Sequence, residues 1–150
     1  EVYLINVAAD NFYLSDSAVP SLWYNKLKNE EHLPDLLWTS LGNVNIRDSR
    51  IYETRHHFYC CPNSHTSDTF SAEWSPRPTR LVVVAELGGT TYYYPVAIKG
   101  GIEKNKEYYV SLKVIRPGAA SPEEDMKKSA AVFTIDIKGW DGQVDVTETI

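Results

Sequence analysis

Apolar and polar residues alternate with a period of two in several runs, and this restricts the chain to strand-rich folds before anything else is known. In residues 107–116, EYYVSLKVIR, one face carries Tyr108, Val110, Leu112 and Val114. The other carries Tyr109, Ser111 and Lys113, and Ile115 breaks the alternation. That is the pattern of a half-buried strand. Residues 130–138, AAVFTIDIK, alternate again with Phe133, Ile135 and Ile137 inward. Residues 79–87, TRLVVVAEL, are apolar on both faces, as in a strand at the centre of a sheet. Gly88 and Gly89 then lead into TTYYYPVAI, 90–98, and a Gly-Gly pair between two such runs signals a hairpin. Pro95 assigns the return strand to an edge or a bulge, because proline donates nothing to a ladder. Residues 2–9, VYLINVAA, and 49–60, SRIYETRHHFYC, are two more predicted strands. The tail 143–150, QVDVTETI, sets Val144, Val146 and Ile150 on one face, interrupted by Glu148.

The segment 10–48 reads differently. Residues 21–33, SLWYNKLKNEEHL, have Trp23, Leu27 and Glu30 at helical spacing between Pro20 and Pro34, which predicts a short helix. Residues 34–41, PDLLWTSL, suit a second helical turn, and the whole segment reads as a long crossover. The expected fold is mostly β: a two-sheet sandwich of about seven strands with Greek-key connections and one helical insertion, a single domain over 150 residues. Such a length supports one hydrophobic core. With 15 Lys+Arg against 20 Asp+Glu, the net charge of -5 argues against a dedicated nucleic-acid binder. No apolar run approaches the roughly 20 residues that span a bilayer. The chain opens at Glu1 and its single Met is Met126, so a chain cut from a longer precursor is expected.

Chemistry-bearing residues are few. His56, His57, Cys60, Cys61 and His65 are the best metal or catalytic candidates, because thiols and imidazoles are zinc ligands. On a strand His56, Phe58 and Cys60 share one face while His57, Tyr59 and Cys61 share the other, so four ligands do not converge. The adjacent cysteines also resist pairing with each other. A disulfide needs Cα atoms roughly 4.4 to 6.8 Å apart, and neighbours across a trans peptide sit at about 3.8 Å. No metal site, catalytic residue or cofactor is assigned. The carboxylate pairs Glu30 with Glu31, and Glu123, Glu124 and Asp125, read as solvated faces, since a glycosidase pair must stand across a cleft. Asp141 with Gly142 is a turn without the other oxygens of a calcium loop. Gly88 with Gly89, and Gly100 with Gly101, lack the lysine and helix of a phosphate loop. Lys104, Asn105 and Lys106 are neighbours, the wrong placement for a cross-sheet isopeptide bond. Tyr92, Tyr93 and Tyr94 suggest sugar stacking, but core packing with Tyr93 on the sheet surface is the simpler reading. Trp140 reads as a packing anchor in a turn.

The order FYCCPN (58–63), TRLVVVAEL (79–87), TYYYPVAIKGGIEKNKEYYVSLKVIRPGAASPEE (91–124) and AAVFTIDIKGW (130–140) resembles the C-terminal domain of Bacteroidales fimbrillins, the subunits of type V pili. Asn105 shortly before Tyr108 and the Arg-Pro-Gly turn at 116–118 belong to that ordered set. The resemblance covers roughly residues 58–140, and the Cys60 and Cys61 pair departs from it. It implies a transthyretin-like sandwich within a larger, two-domain subunit. It implies a lipoprotein precursor, anchored to the membrane by its lipid, that is exported, cleaved and displayed on the cell surface at the outer membrane. The subunits then polymerise with other pilus subunits by strand exchange, in support of cell adhesion. Val144, Val146 and Ile150 would then be the groove-filling side chains of a donor strand, the alternative being that 143–150 pairs within its own domain as an edge strand. A non-enzymatic structural subunit is therefore expected. A tip or accessory adhesin of the same fold, binding a glycan or a host protein, is the alternative.

Overall fold

A computed structural model describes residues 1–10, 20–24, 38–41, 52–68, 75–124, 130–139, 142–143 and 148–149. The described residues form antiparallel sheets and contain no helix. One sheet has the order β4-β1-β5-β6, built from β4 (Trp38–Thr39), β1 (Val2–Ile5), β5 (Arg80–Leu87) and β6 (Thr90–Ala97). A second joins β7 (Lys106–Val114) to β8 (Ala131–Gly139), with β9 (Gly142–Gln143) and β10 (Glu148–Thr149) also pairing with β8. A two-stranded ribbon joins β2 (Val7–Ala8) to β3 (Trp23–Tyr24).

The hairpin of β5 and β6 turns through Gly88 (φ +58°) and Gly89 (φ +80°). Both positions lie in the left-handed region that glycine enters without a Cβ penalty, as a two-residue turn matched to strand twist requires. Pro95 lies opposite Val82 in the outermost strand of its sheet, as its missing donor demands. Leu81 and Val96, paired across β5 and β6, meet Tyr108, Val110 and Leu112 of β7 and Phe133, Ile135 and Ile137 of β8 in one apolar cluster. The alternation predicted for these strands thus becomes the shared core of the two sheets. Val114, 43 % exposed, lies beyond it.

Five expectations need correction. The run 2–9 is not one strand: Asn6, at φ +55°, breaks it into β1 and β2, so the chain leaves one sheet and enters the ribbon. Residues 52–60 join no ladder, although burial alternates, with His56, Phe58 and Cys60 partly buried and Arg55, His57 and Tyr59 exposed. A chain laid across a core buries alternate side chains whether or not its backbone pairs; the first backbone pairing comes at Asn63, with Ile102. The helix predicted from residue 21 does not begin there. Trp23 and Tyr24 pair with Ala8 and Val7, and this tertiary ladder overrides a weak local preference. Trp38 and Thr39 likewise pair with Tyr3 and Val2 rather than forming a helical turn; residues 25–37 lie outside the described residues. Finally, Tyr93 is partly buried against Tyr3, Ile5 and Val82, because the sheet carries an apolar cluster on this face too.

Candidate functional site

The densest polar chemistry lies where β1 gives way to β2 and the chain approaches β5. Asn6, Asn63, Arg77, Thr79 and Arg80 are all buried there. The Asn63 amide nitrogen donates to the Asn6 carbonyl (3.2 Å), the Arg77 carbonyl (2.9 Å) and Thr79 Oγ1 (3.0 Å). Its Oδ1 accepts from the His65 backbone N–H at 3.0 Å. The Thr79 hydroxyl donates to the Asn6 carbonyl at 2.9 Å. Gly101, at φ +84°, lies beneath this hub; a Cβ there would stand 2.8 Å from the Asn63 carbonyl oxygen.

Arg77 connects the hub to a charged cluster. Its guanidinium pairs with Glu123 and lies 3.9 Å from Asp68, and the Arg80 guanidinium pairs with Asp68. Arg80 also donates to the backbone carbonyl of Glu123 at 3.2 Å. Among the described residues of the cluster, two guanidinium and two carboxylate groups balance formally, as burial requires. Chemically the arrangement is a clamp: it ties 63–68 and the turn around Glu123 to the start of β5. Only proximity in the fold assembles it, and reading Glu123 as part of a solvated face missed that it is half-buried and paired with Arg77. The sole clue was an Arg on each side of Thr79 at the start of an apolar strand.

Among the described residues no group of three His, Cys, Asp or Glu side chains is placed to hold a metal ion. The metal candidates His56, His57, Cys60, Cys61 and His65 form no such group. His56 Nε2 lies 3.0 Å from the Tyr52 hydroxyl, while the His65 ring meets Trp23 edge-on at 5.3 Å. Cys60 and Cys61 are free. Burial, with Cys61 as a lesser cause, pushes the Cys60 thiol up to about 11, and burial also raises Cys61.

At the C-terminal end, Gly142 and Gln143 pair with Gly139 and Lys138, whereas Glu148 and Thr149 pair with Ile135 and Thr134. The tail therefore passes four positions between its two pairings where β8 passes two. Val144, Val146, Ile150 and Trp140 lie outside the described residues, as do Glu30, Glu31, Asp125 and Asp141. Tyr94 is wholly buried, with its hydroxyl donating to the Arg116 carbonyl at 2.9 Å. On β7 the Tyr109 hydroxyl donates to Glu107 at 2.7 Å, and this hydrogen bond raises the phenol above its ordinary range. Among the described residues no helix is long and apolar enough to cross a membrane. No protein-family model, curated protein or solved structure matches the chain.

Proposed function

We propose that the chain is a structural subunit of an extracellular fimbria, folded as a transthyretin-like Greek-key sandwich and joined to its neighbours by exchange of the C-terminal strand. The observation that carries this reading is the way the tail lies along β8. It is held by two pairings of two residues each, and their registers differ by two. A segment held by so few ladder pairs is the part of a sheet exchanged at least loss of ladder. Another copy's strand would satisfy the same edge groups. An offset of two preserves the side-chain parity of the ladder, so either register keeps the same residues toward the core face. Val144, Val146 and Ile150 share the parity of Glu148, which lies opposite the buried Ile135.

The test is size exclusion with light scattering on the longest precursor, before and after protease treatment, with and without truncation after Trp140. Polymers that need both cleavage and the tail support strand exchange. Assembly that survives truncation overturns it. A second reading, a tip adhesin for a glycan or host protein, is favoured by Tyr59, an aromatic 73 % exposed on the same segment as the exposed Arg55 and His57. Glycan-array binding lost in Tyr59→Ala, by a chain that stays monomeric after cleavage, would select it.

A further inference from the structure

β6 ends its sheet, yet its outer edge is not bare. Tyr93 donates its N–H to the Ala119 carbonyl (3.0 Å) and accepts from the Ala119 N–H (2.8 Å). In an antiparallel ladder alternate residues direct their backbone groups to opposite sides. Thr91, Tyr93, Pro95 and Ala97 therefore aim away from β5, whereas Ile98, of the other parity, donates to the Thr79 carbonyl. Pro95 has no N–H to offer along that edge. Gly118 makes the close approach possible: a Cβ there would collide with the Tyr93 carbonyl oxygen and stand 3.0 Å from the Tyr94 ring. Two further ties hold the same loop. The Arg116 carbonyl accepts from the Tyr94 hydroxyl, and Glu123 is gripped by Arg77 through its carboxylate and by Arg80 through its carbonyl.

We propose that residues 116–123 are a strap that closes the outer edge of β6 to strand addition by a second copy of this chain. The edge suits that occupant. Ala119 already pairs with Tyr93 as an antiparallel partner. A two-fold pairing of β6 with β6 centred on Tyr93 of both copies would use the same groups, place Thr91 opposite Pro95 and lose only the proline donors. Blunting an edge with a short covering segment and a proline is a recognised means of preventing such pairing. The strap acts on β6 and does not depend on the exchange of the tail on β8.

The experiment releases the strap at each end. Gly118→Ala pushes it off Tyr93 by the collision above, and Glu123→Gln removes the charge that Arg77 grips. Two readouts are taken in the full chain: hydrogen exchange of the Tyr93 amide, and mass by light scattering over a range of concentrations. Exchange at Tyr93 faster by about tenfold or more, with a monomer that becomes a dimer as concentration rises, is the expected result. A Tyr93 amide that opens in a chain still monomeric overturns the proposal, as does an amide unchanged in both variants. Should Gly118→Ala fail to fold by near-UV circular dichroism, Glu123→Gln decides by the same two readouts. Growth of longer polymers that also require the tail would belong to β8, and tail truncation separates it from dimerisation through β6.

Discussion

The side-chain amide of Asn63 reaches the backbone carbonyl of Asn6 at 3.2 Å, across 57 positions of sequence. Asn6 is the left-handed residue that divides β1 from β2, so this bond holds the chain at the point where it passes between two sheets. The remaining Asn63 bonds gather the Arg77 carbonyl, Thr79 and His65 around the same bend. One buried amide thereby fixes the relation of the N-terminal strand, the approach to β5 and the segment after Pro62.

Replacing Asn63 with Ala is accordingly expected to lower stability by about 2–4 kcal/mol, because several buried acceptors lose their donor together. Urea unfolding should show this as a lower midpoint with an unchanged slope. At Asn6, Val is expected to cost about 1–2 kcal/mol more than Gly, since the positive φ penalises a β-branched side chain.

The pair of Asp68 with Arg80 is buried on both sides. Asp68→Ala takes away the carboxylate that the guanidinium faces and is expected to cost about 3–5 kcal/mol. Asp68→Leu combined with Arg80→Met should recover at least half of that loss. A double-mutant cycle that is additive would show that the pair is not coupled.

In the shared core, Ile135→Ala removes a side chain 2 % exposed and packed with Val96 and Phe133. A loss of about 2–5 kcal/mol is expected in thermal or denaturant unfolding. Ser111→Ala, on the exposed face of β7, should stay within about 0.5 kcal/mol.

Alkaline pH should weaken the fold. The Cys60 thiol is raised from 9.0 to about 11, and burial also raises Tyr3, Tyr94 and Tyr108. Raised acids keep their protons longer in the folded chain than in the unfolded one, so the unfolded state binds fewer protons and stability falls as pH rises. For Cys60 the fall lies between pH 9 and about 11, and Cys60→Ser should flatten that part of the profile. Modification by a thiol reagent at pH 8 should label Cys61 before the more deeply buried Cys60.

Acid should act through Asp10. Its carboxylate accepts from the Ser21 N–H (2.9 Å), the Ser21 hydroxyl (2.7 Å) and the Leu22 N–H (3.1 Å), and these bonds hold its pKa below the ordinary value. The contribution is present above the unfolded-state pKa and is lost as pH falls through the folded one. Asp10→Asn should remove part of this acid-side dependence in pH-resolved unfolding and speed exchange of the Leu22 amide.

Strand identity was legible wherever one face is buried and the other wet. Phe133, Ile135 and Ile137, and Tyr108, Val110 and Leu112, declare their inner face by a period of two, a local property of the extended chain. The turn at Gly88 and Gly89 and the edge position of Pro95 are equally local, since each follows from what one residue's backbone permits. The charged cluster was not legible. Asp68, Arg77, Arg80 and Glu123 carry no period, and Glu123 read as solvated because nothing near it in sequence tells that two arginines approach it. Tyr93 was misplaced for the same cause: its sheet is covered on both faces, and alternation marks one covered face only. In the segment 52–60 alternation survived without a ladder, because side-chain burial answers to the core while hydrogen bonding answers to a partner strand. What the sequence alone determined is therefore the set of backbone conformations and inward faces that single residues and their neighbours dictate. The tertiary structure decided the rest, namely which edges are paired or strapped and which charges are buried together, because those depend on contacts between segments that lie far apart along the chain.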